Sequence, residues 1–413
     1  MNWIASTLKT TGSLLGAFVL VNFAVAQAQN TDTHSSNIAI TTTTTTSAPS
    51  PIATPPRVDA GQTSTQLGST TLPSADVSQT STQLGSTLQG RYLVGPQPQP
   101  AVFPFLTAEH KKIADESWAV YQKDHGHPMT AWAKTEIKFS GTGTAFYPFS
   151  GPDFVTVNQL YPDADRYVMV AMQAAGEPAL LASMSPERAQ HFQTKFLREW
   201  KRFAYNAFFI TAELEADRYA KSTHIGITTI LMTFALYSGY DIAELYPIAY
   251  DSASGQFIKS VGPWNSVRLV LKKNGKTVAL DYVSLDLSDQ NLLVKESMRG
   301  WLSHMTQHPM LIKAASHLLQ DGNFIVLRDM IAKNAPLVVQ DETGVDYAQL
   351  KKIGKVDLYG GFSLPFEQFS PHKQQSLAQA YRQATDVKPL PFAFSYNKEH
   401  ERRSVQIVRR EQP

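Results

Sequence analysis

The sequence has no cysteine at all. That excludes a disulfide-stapled fold, a thiolate metal site and a cysteine nucleophile, and leaves no thiol for lipidation. Charge is nearly absent from a long early stretch. Residues 30–100 carry only Asp32, Arg57, Asp59, Asp76 and Arg91, with Tyr92 as the single aromatic residue. A segment this poor in charge and large apolar groups cannot bury enough surface to offset its chain entropy. A net charge of +2 gives no support for nucleic-acid binding driven by charge. Neither G-x-G-x-x-G nor a Walker loop occurs, so no nucleotide cofactor is expected.

What is present divides the chain into three. Lys9 precedes an apolar run from Leu14 to Val25, followed by Ala24-Val25-Ala26 and Ala26-Gln27-Ala28. A basic start, a short apolar stretch and small residues at A-x-A spacing predict a signal peptide over 1–28. The run is short for a spanning helix, so no transmembrane segment is expected in the mature chain. Residues 29–101 hold Thr41–Thr46, Pro55-Pro56, two copies of QTSTQLGST at Gln62–Thr70 and Gln79–Thr87, and a Pro/Gln cluster ending at Pro100. This composition predicts a disordered leader, and a glycosylated stalk is the other reading. Residues 102–413 return to about one charge in five residues, as a single globular domain would. An exported protein, periplasmic or extracellular, follows from that order.

Within 102–413 several elements announce themselves. Thr107 can cap a helix through about Lys123, and Ser185-Pro186-Glu187 has the N-cap, N1 proline and first-turn acid of a helix start. Ala189, Phe192, Phe196, Trp200 and Phe203 then repeat at helical spacing. Further helices are expected over Phe208–Tyr219, in the uncharged run Ile225–Tyr240, around Met298–Met305, near 311–320 and 322–333, and after Ser370-Pro371. Alternation on either side of Asn274-Gly275 predicts a hairpin with a type I′ turn. Apolar strands are expected at Leu337–Val339, Val356–Tyr359 and Val405–Val408. Arg402, Arg403, Arg409 and Arg410 around the last of these suit a charged edge strand. Clustered helices beside a hairpin point to α+β, with mixed α/β as the alternative.

Two segments could carry chemistry. In Tyr147-Pro-Phe-Ser-Gly-Pro-Asp-Phe154, Gly151-Pro152 forces a turn flanked by Ser150 and Asp153. A hydroxyl and a carboxylate held there could serve as nucleophile and base. More simply, Asp153 caps the next helix and Ser150 closes the turn. In Gln340-Asp341-Glu342-Thr343-Gly344, carboxylates end a strand, where ligand clefts often form; a polar turn is the competing reading. FSGPDF, the expected helix Leu311–Gln320 (LIKAASHLLQ), QDETG and Tyr359-Gly-Gly-Phe362 together resemble a family of uncharacterised bacterial exported proteins. The resemblance covers most of residues 140–395 and implies no nameable reaction. It draws attention to Ser150, Asp153 and Asp341 as catalytic candidates; separately, Tyr147 and Tyr359 are expected as ligand contacts.

Metal binding has less support. His125 and His127 have H-x-H spacing, and His304 and His308 lie four apart, but a third ligand is missing in each case. Solvent-facing histidines are expected at both places, and Asp163-Ala-Asp165 after Tyr161-Pro162 reads as a turn. Two functions fit: a binding or structural protein with an envelope protein or polymer as partner, or an envelope hydrolase using Ser150 or Asp153 with Asp341 across one cleft. The hydrolase requires FSGPD and QDETG to meet, and at least one carboxylate to be desolvated.

Overall fold

The computed structural model describes residues 108–138, 143–178, 185–208, 226–365, 369, 372, 374–396 and 403–410. The expected signal peptide, leader and Thr107 cap lie outside these residues, as does nearly all of the Phe208–Tyr219 helix.

One ten-stranded sheet organises the body. Its strands are β1 (Thr144–Pro148), β2 (Arg166–Ala171), β3 (Asp241–Asp251), β4 (Gln256–Lys259), β5 (Ser266–Lys273), β6 (Lys276–Ser284), β7 (Met310–Ile312), β8 (Leu337–Gln340), β9 (Gly354–Gly360) and β10 (Ser404–Arg410). They lie in the order β4-β3-β5-β6-β2-β1-β7-β8-β10-β9. The five strands from β6 to β8 pair in parallel, and both flanks are antiparallel. The fold therefore fits the expected α+β or mixed α/β class, with a parallel centre. Asn274 (φ 51°) and Gly275 (φ 76°) both take the positive φ of the expected hairpin turn.

Alternation along the central strands feeds two cores, as strand geometry requires. Tyr147, Tyr167, Met169, Leu311 and Val339 point to one face. Phe146, Val168, Val170, Met310, Ile312 and Val338 point to the other. The first face is covered by α1 (Ala108–Tyr121), α2 (His127–Glu136), α3 (Phe154–Leu160), α4 (Pro186–Asn206) and α5 (Ile227–Tyr237). Ser185 caps α4 as expected, accepting from the Arg188 N–H at 3.4 Å. The α4 stripe is fully buried, and Trp200 stacks on Trp118 at 5.8 Å. The uncharged run forms α5, a core helix buried along nearly its whole length. The second face is covered by α6 (Asp289–Val294), α7 (Glu296–Met305) and α8 (Ile325–Asn334). Two short helices complete the described body, α9 (Tyr347–Leu350) and α10 (Gln375–Gln383). Among the described residues no helix is long and apolar enough to cross a membrane.

Three expectations need correction. Residues 311–320 are not a helix: Met310–Ile312 is a parallel strand, followed by a turn and the short 3-10 segment Leu318–Gln320. A three-residue apolar strand between β1 and β8 shows no period long enough to be told from a helical turn. The strand β10 is interior rather than an edge, and its arginines have local work. Arg409 pairs with Asp357 at 3.0 Å, while Arg410 donates to the Ala335 and Ala332 carbonyls. The first helix ends at Tyr121 and continues as a π-helix, Gln122–Gly126. That insertion turns His125 inward, so it is 7% exposed rather than solvent-facing; His127 and His304 are exposed as expected.

Candidate site at the ends of the parallel strands

Strand β1 connects through α3 to β2 on one side of it, whereas β7, on its other side, connects through α8 to β8, farther out. The direction of winding reverses between β1 and β7. The carboxyl ends of such neighbouring strands are where open α/β sheets commonly place ligands; here Asp153, Lys313 and Asp341 at those ends are buried. FSGPD follows β1, Lys313–His317 follows β7 and QDETG begins at the end of β8, so all three segments meet there.

The β1 exit turns through Phe149 (φ 58°) and Gly151 (φ 52°). Ser150 Oγ lies 3.0 Å from the Gly151 carbonyl and 3.3 Å from that of Val170, and its single proton serves one of them at a time. Asp153 is the N-cap of α3, with Oδ1 accepting from the Thr156 N–H (3.3 Å) and hydroxyl (2.7 Å). Its Oδ2 accepts from Lys313 Nζ at 2.6 Å and lies 3.3 Å from the Tyr147 hydroxyl. That hydroxyl is equally close to the Lys313 carbonyl, and burial followed by the Asp153 charge pushes its pKa well up. Lys313 itself is 1% exposed. Its ammonium has three acceptors: Asp153, the Ala207 carbonyl (2.7 Å) and Thr156 Oγ1 (3.3 Å).

The next two residues join this pair to QDETG. The Ala314 N–H donates to Asp341 Oδ2 (2.7 Å), and the Ala315 N–H donates to Thr343 Oγ1 (2.7 Å). Asp341 Oδ1 accepts from the Thr343 N–H (2.8 Å) and hydroxyl (2.6 Å). Asp341 is fully buried, and that burial raises its carboxyl pKa above the usual range despite these donors. Glu342 is also buried and accepts from Ser404 Oγ at 2.8 Å. Both acids therefore sit inside, in different polar networks. Tyr396 completes the wall, donating to the Ala314 carbonyl at 2.9 Å with Ser316 Oγ at 3.2 Å.

Of the sequence candidates, Tyr147, Asp153 and Asp341 share this network through Lys313 and Ala314. Ser150 lies in the same turn but bonds only to backbone. Tyr359 belongs elsewhere: its hydroxyl donates to Glu136 (2.7 Å), Lys388 lies 3.2 Å away, and its pKa is pushed up to about 12 by burial and then by Glu136. Sequence reasoning passed over Lys313, Tyr396 and His317. The signal for Lys313 was a lone cation directly after the apolar run Met310–Ile312. Among the described residues no group of three metal-capable side chains occurs.

Backbone conformation marks these strand ends as well. Phe149, Ala314, Ser316 and His317 are non-glycine residues with positive φ in the two loops leaving β1 and β7. Each such residue costs of order 1 kcal/mol or more and persists where its surroundings over-determine it, commonly at functional sites. Comparison with protein-family models and with curated proteins gives no match.

Proposed function

We propose that this chain is an exported cell-envelope protein that binds a polar ligand or surface polymer in the crevice between the ends of β1, β7 and β8. The carrying observation is the cluster of positive-φ residues at the point where the sheet's winding reverses. The polar groups of Asp153, Lys313 and Asp341 are committed to holding those loops, which suits a preformed binding wall. Export is supported by Lys9, the Leu14–Val25 run and the A-x-A spacings. The likeness of FSGPDF and QDETG to motifs of bacterial exported proteins agrees with it. The test is co-sedimentation of the full chain with isolated insoluble envelope polymers, alongside Ser316→Arg, which puts a long charged side chain on a partly exposed position beside Tyr396. Loss of the wild-type protein from the supernatant, and its return in Ser316→Arg, is expected. Equal sedimentation of both proteins, or of neither, sinks the reading.

Hydrolysis is a second reading, favoured by one observation. A single Lys313–Ala314 step links Asp153 to Asp341, whose burial favours the protonated acid that hydrolysis needs. It requires released product from those same polymers, abolished in Asp341→Asn.

A further inference from the structure

The outer face of α4 carries a row of basic side chains with no role in the core. Arg188, His191, Lys195, Arg198, Arg202 and Tyr205 follow one another at alternating steps of three and four residues. Such steps keep side chains on one face of a helix. Arg188, His191, Arg198 and Tyr205 are exposed, and Lys195 and Arg202 are half-buried. Lys201, also exposed, stands beside the row. From Arg188 to Arg202 the row is about 21 Å long at the helical rise.

The helix has two acids, neither in the row. Glu187 occupies the first turn, where the helix dipole favours a carboxylate. Glu199 is 4% exposed and holds the guanidinium groups of Arg198 (2.8 Å) and Arg202 (3.4 Å) from beneath. It fixes two members of the row without presenting a carboxylate to solvent. Like charges at these spacings destabilise a helix, so solubility alone does not call for the arrangement.

Charge and shape select the partner. A row of cations is complementary to an anion. The row is one helix wide: α1, packed alongside through Trp118 and Trp200, presents Lys112 paired with Glu116 at 3.8 Å. The apolar residues of α4 are buried in the first core, so the helix has no apolar face to sink into a bilayer. A line of charge without such a face fits a linear polyanion better than a membrane plane. Basic groups recur about every 5 Å, the advance of one pyranose ring. A polymer with one carboxylate per sugar therefore matches the row in charge and in repeat, and arginine suits carboxylate geometry. The far end of α4 also adjoins the strand-end site, because the Ala207 carbonyl accepts from Lys313 at 2.7 Å. A chain lying on the row is led toward that site.

We propose that the outer face of α4 is a docking surface for an acidic polysaccharide of the polyuronate type, lying along Arg188, Lys195, Arg198 and Arg202. The proposal rests on the surface-polymer reading above and adds the polymer's charge and a second contact face.

The experiment is calorimetric titration of the full chain with polygalacturonate. Dextran is the neutral control, polyphosphate the polyanion without sugar rings, and phosphatidylglycerol vesicles the membrane probe. Polygalacturonate binding is expected, weakened at least tenfold in Arg188→Glu/Lys195→Glu and by salt at about 0.5 M, where charge is screened within a few ångströms. Lys272→Glu/Lys355→Glu changes the net charge equally at exposed positions on β5 and β9 and should bind as the wild type does. Arg188→Gln/Lys195→Gln carries the test if the charge-reversed pair fails to fold. Tighter binding of vesicles or polyphosphate than of polygalacturonate overturns the polysaccharide, and equal binding of dextran overturns the role of charge. Equal weakening in both charge-reversed variants overturns the location, since net charge alone then governs. No binding of any anionic probe, with envelope polymers still sedimenting the chain, removes this surface and leaves the strand-end reading standing.

Discussion

Lys313 and Asp153 form a pair whose value lies in being complete. Burying either charge alone costs several kcal/mol, and only their contact and the surrounding acceptors offset that. Lys313→Met should therefore destabilise the protein by about 3–5 kcal/mol, because Asp153 stays buried without its cation. Adding Asp153→Asn to that variant should recover most of the loss; denaturant titration of the two single variants and the double measures the coupling. A double-variant cost equal to the sum of the two single costs would show that the pair is not coupled. The buried histidines act through pH. Burial is the leading cause that depresses both His125 and His317 to about 4, against about 6.5 in the unfolded chain. The unfolded state then binds protons first as pH falls, so their contribution is complete above pH 6.5 and is lost between 6.5 and 4. Across that window His317→Phe should flatten the stability–pH slope by up to roughly 1.4 kcal/mol per pH unit. Asp341 titrates in both proteins and largely cancels from the difference, and an unchanged slope would refute the assignment.

Turns and short strands differ in how much of their reason is local. The Asn274-Gly275 hairpin could be read directly, because a type I′ turn is a property of two residues and the alternation around them. The α4 helix was equally legible, since its cap, its N1 proline and its aromatic stripe all lie within its own span. Met310–Ile312 was not, because its strand state comes from β1 and β8 on either side, which lie far away in sequence. The same is true of the site. Asp153 as a cap was readable three residues from its partner Thr156, but its bond to Lys313 spans 160 positions. Two glycines make the distinction testable. At Gly275 (φ 76°) an added Cβ meets nothing within 4 Å, so Gly275→Ala should cost only the left-handed penalty of about 1–2 kcal/mol. At Gly360 (φ 79°) the added Cβ runs into the Arg403 carbonyl, fixed by the β9–β10 ladder. Gly360→Ala should therefore lower the denaturation midpoint clearly more than Gly275→Ala, and equal midpoints would contradict that packing.

At the scale of the whole molecule, the antiparallel flank β4-β3-β5 could be imagined as a separable piece, since its ladder is built from local hairpins. Three features tie it to the parallel centre. Strand β6 pairs with β5 on one side and β2 on the other. Asp281 on β6 is buried and accepts from Arg268 of β5 and Arg166 of β2, an ion triad spanning the join. Both cores also cross it: Leu245 and Leu269 share one cluster with Phe154 and Trp200, and Ile248 and Phe257 share the other with Trp301 and Val338. Unfolding the flank alone would expose those apolar surfaces and leave Asp281 beside a single arginine. Equilibrium denaturation should therefore show one transition, coincident by far-ultraviolet circular dichroism and by tryptophan fluorescence. Asp281→Leu should weaken the tie, leaving Arg166 and Arg268 facing each other without their shared acceptor. In that variant the two probes are expected to separate, with the flank lost first. Two resolved transitions in the wild-type protein would mean that neither the triad nor the shared cores couple the flank to the centre.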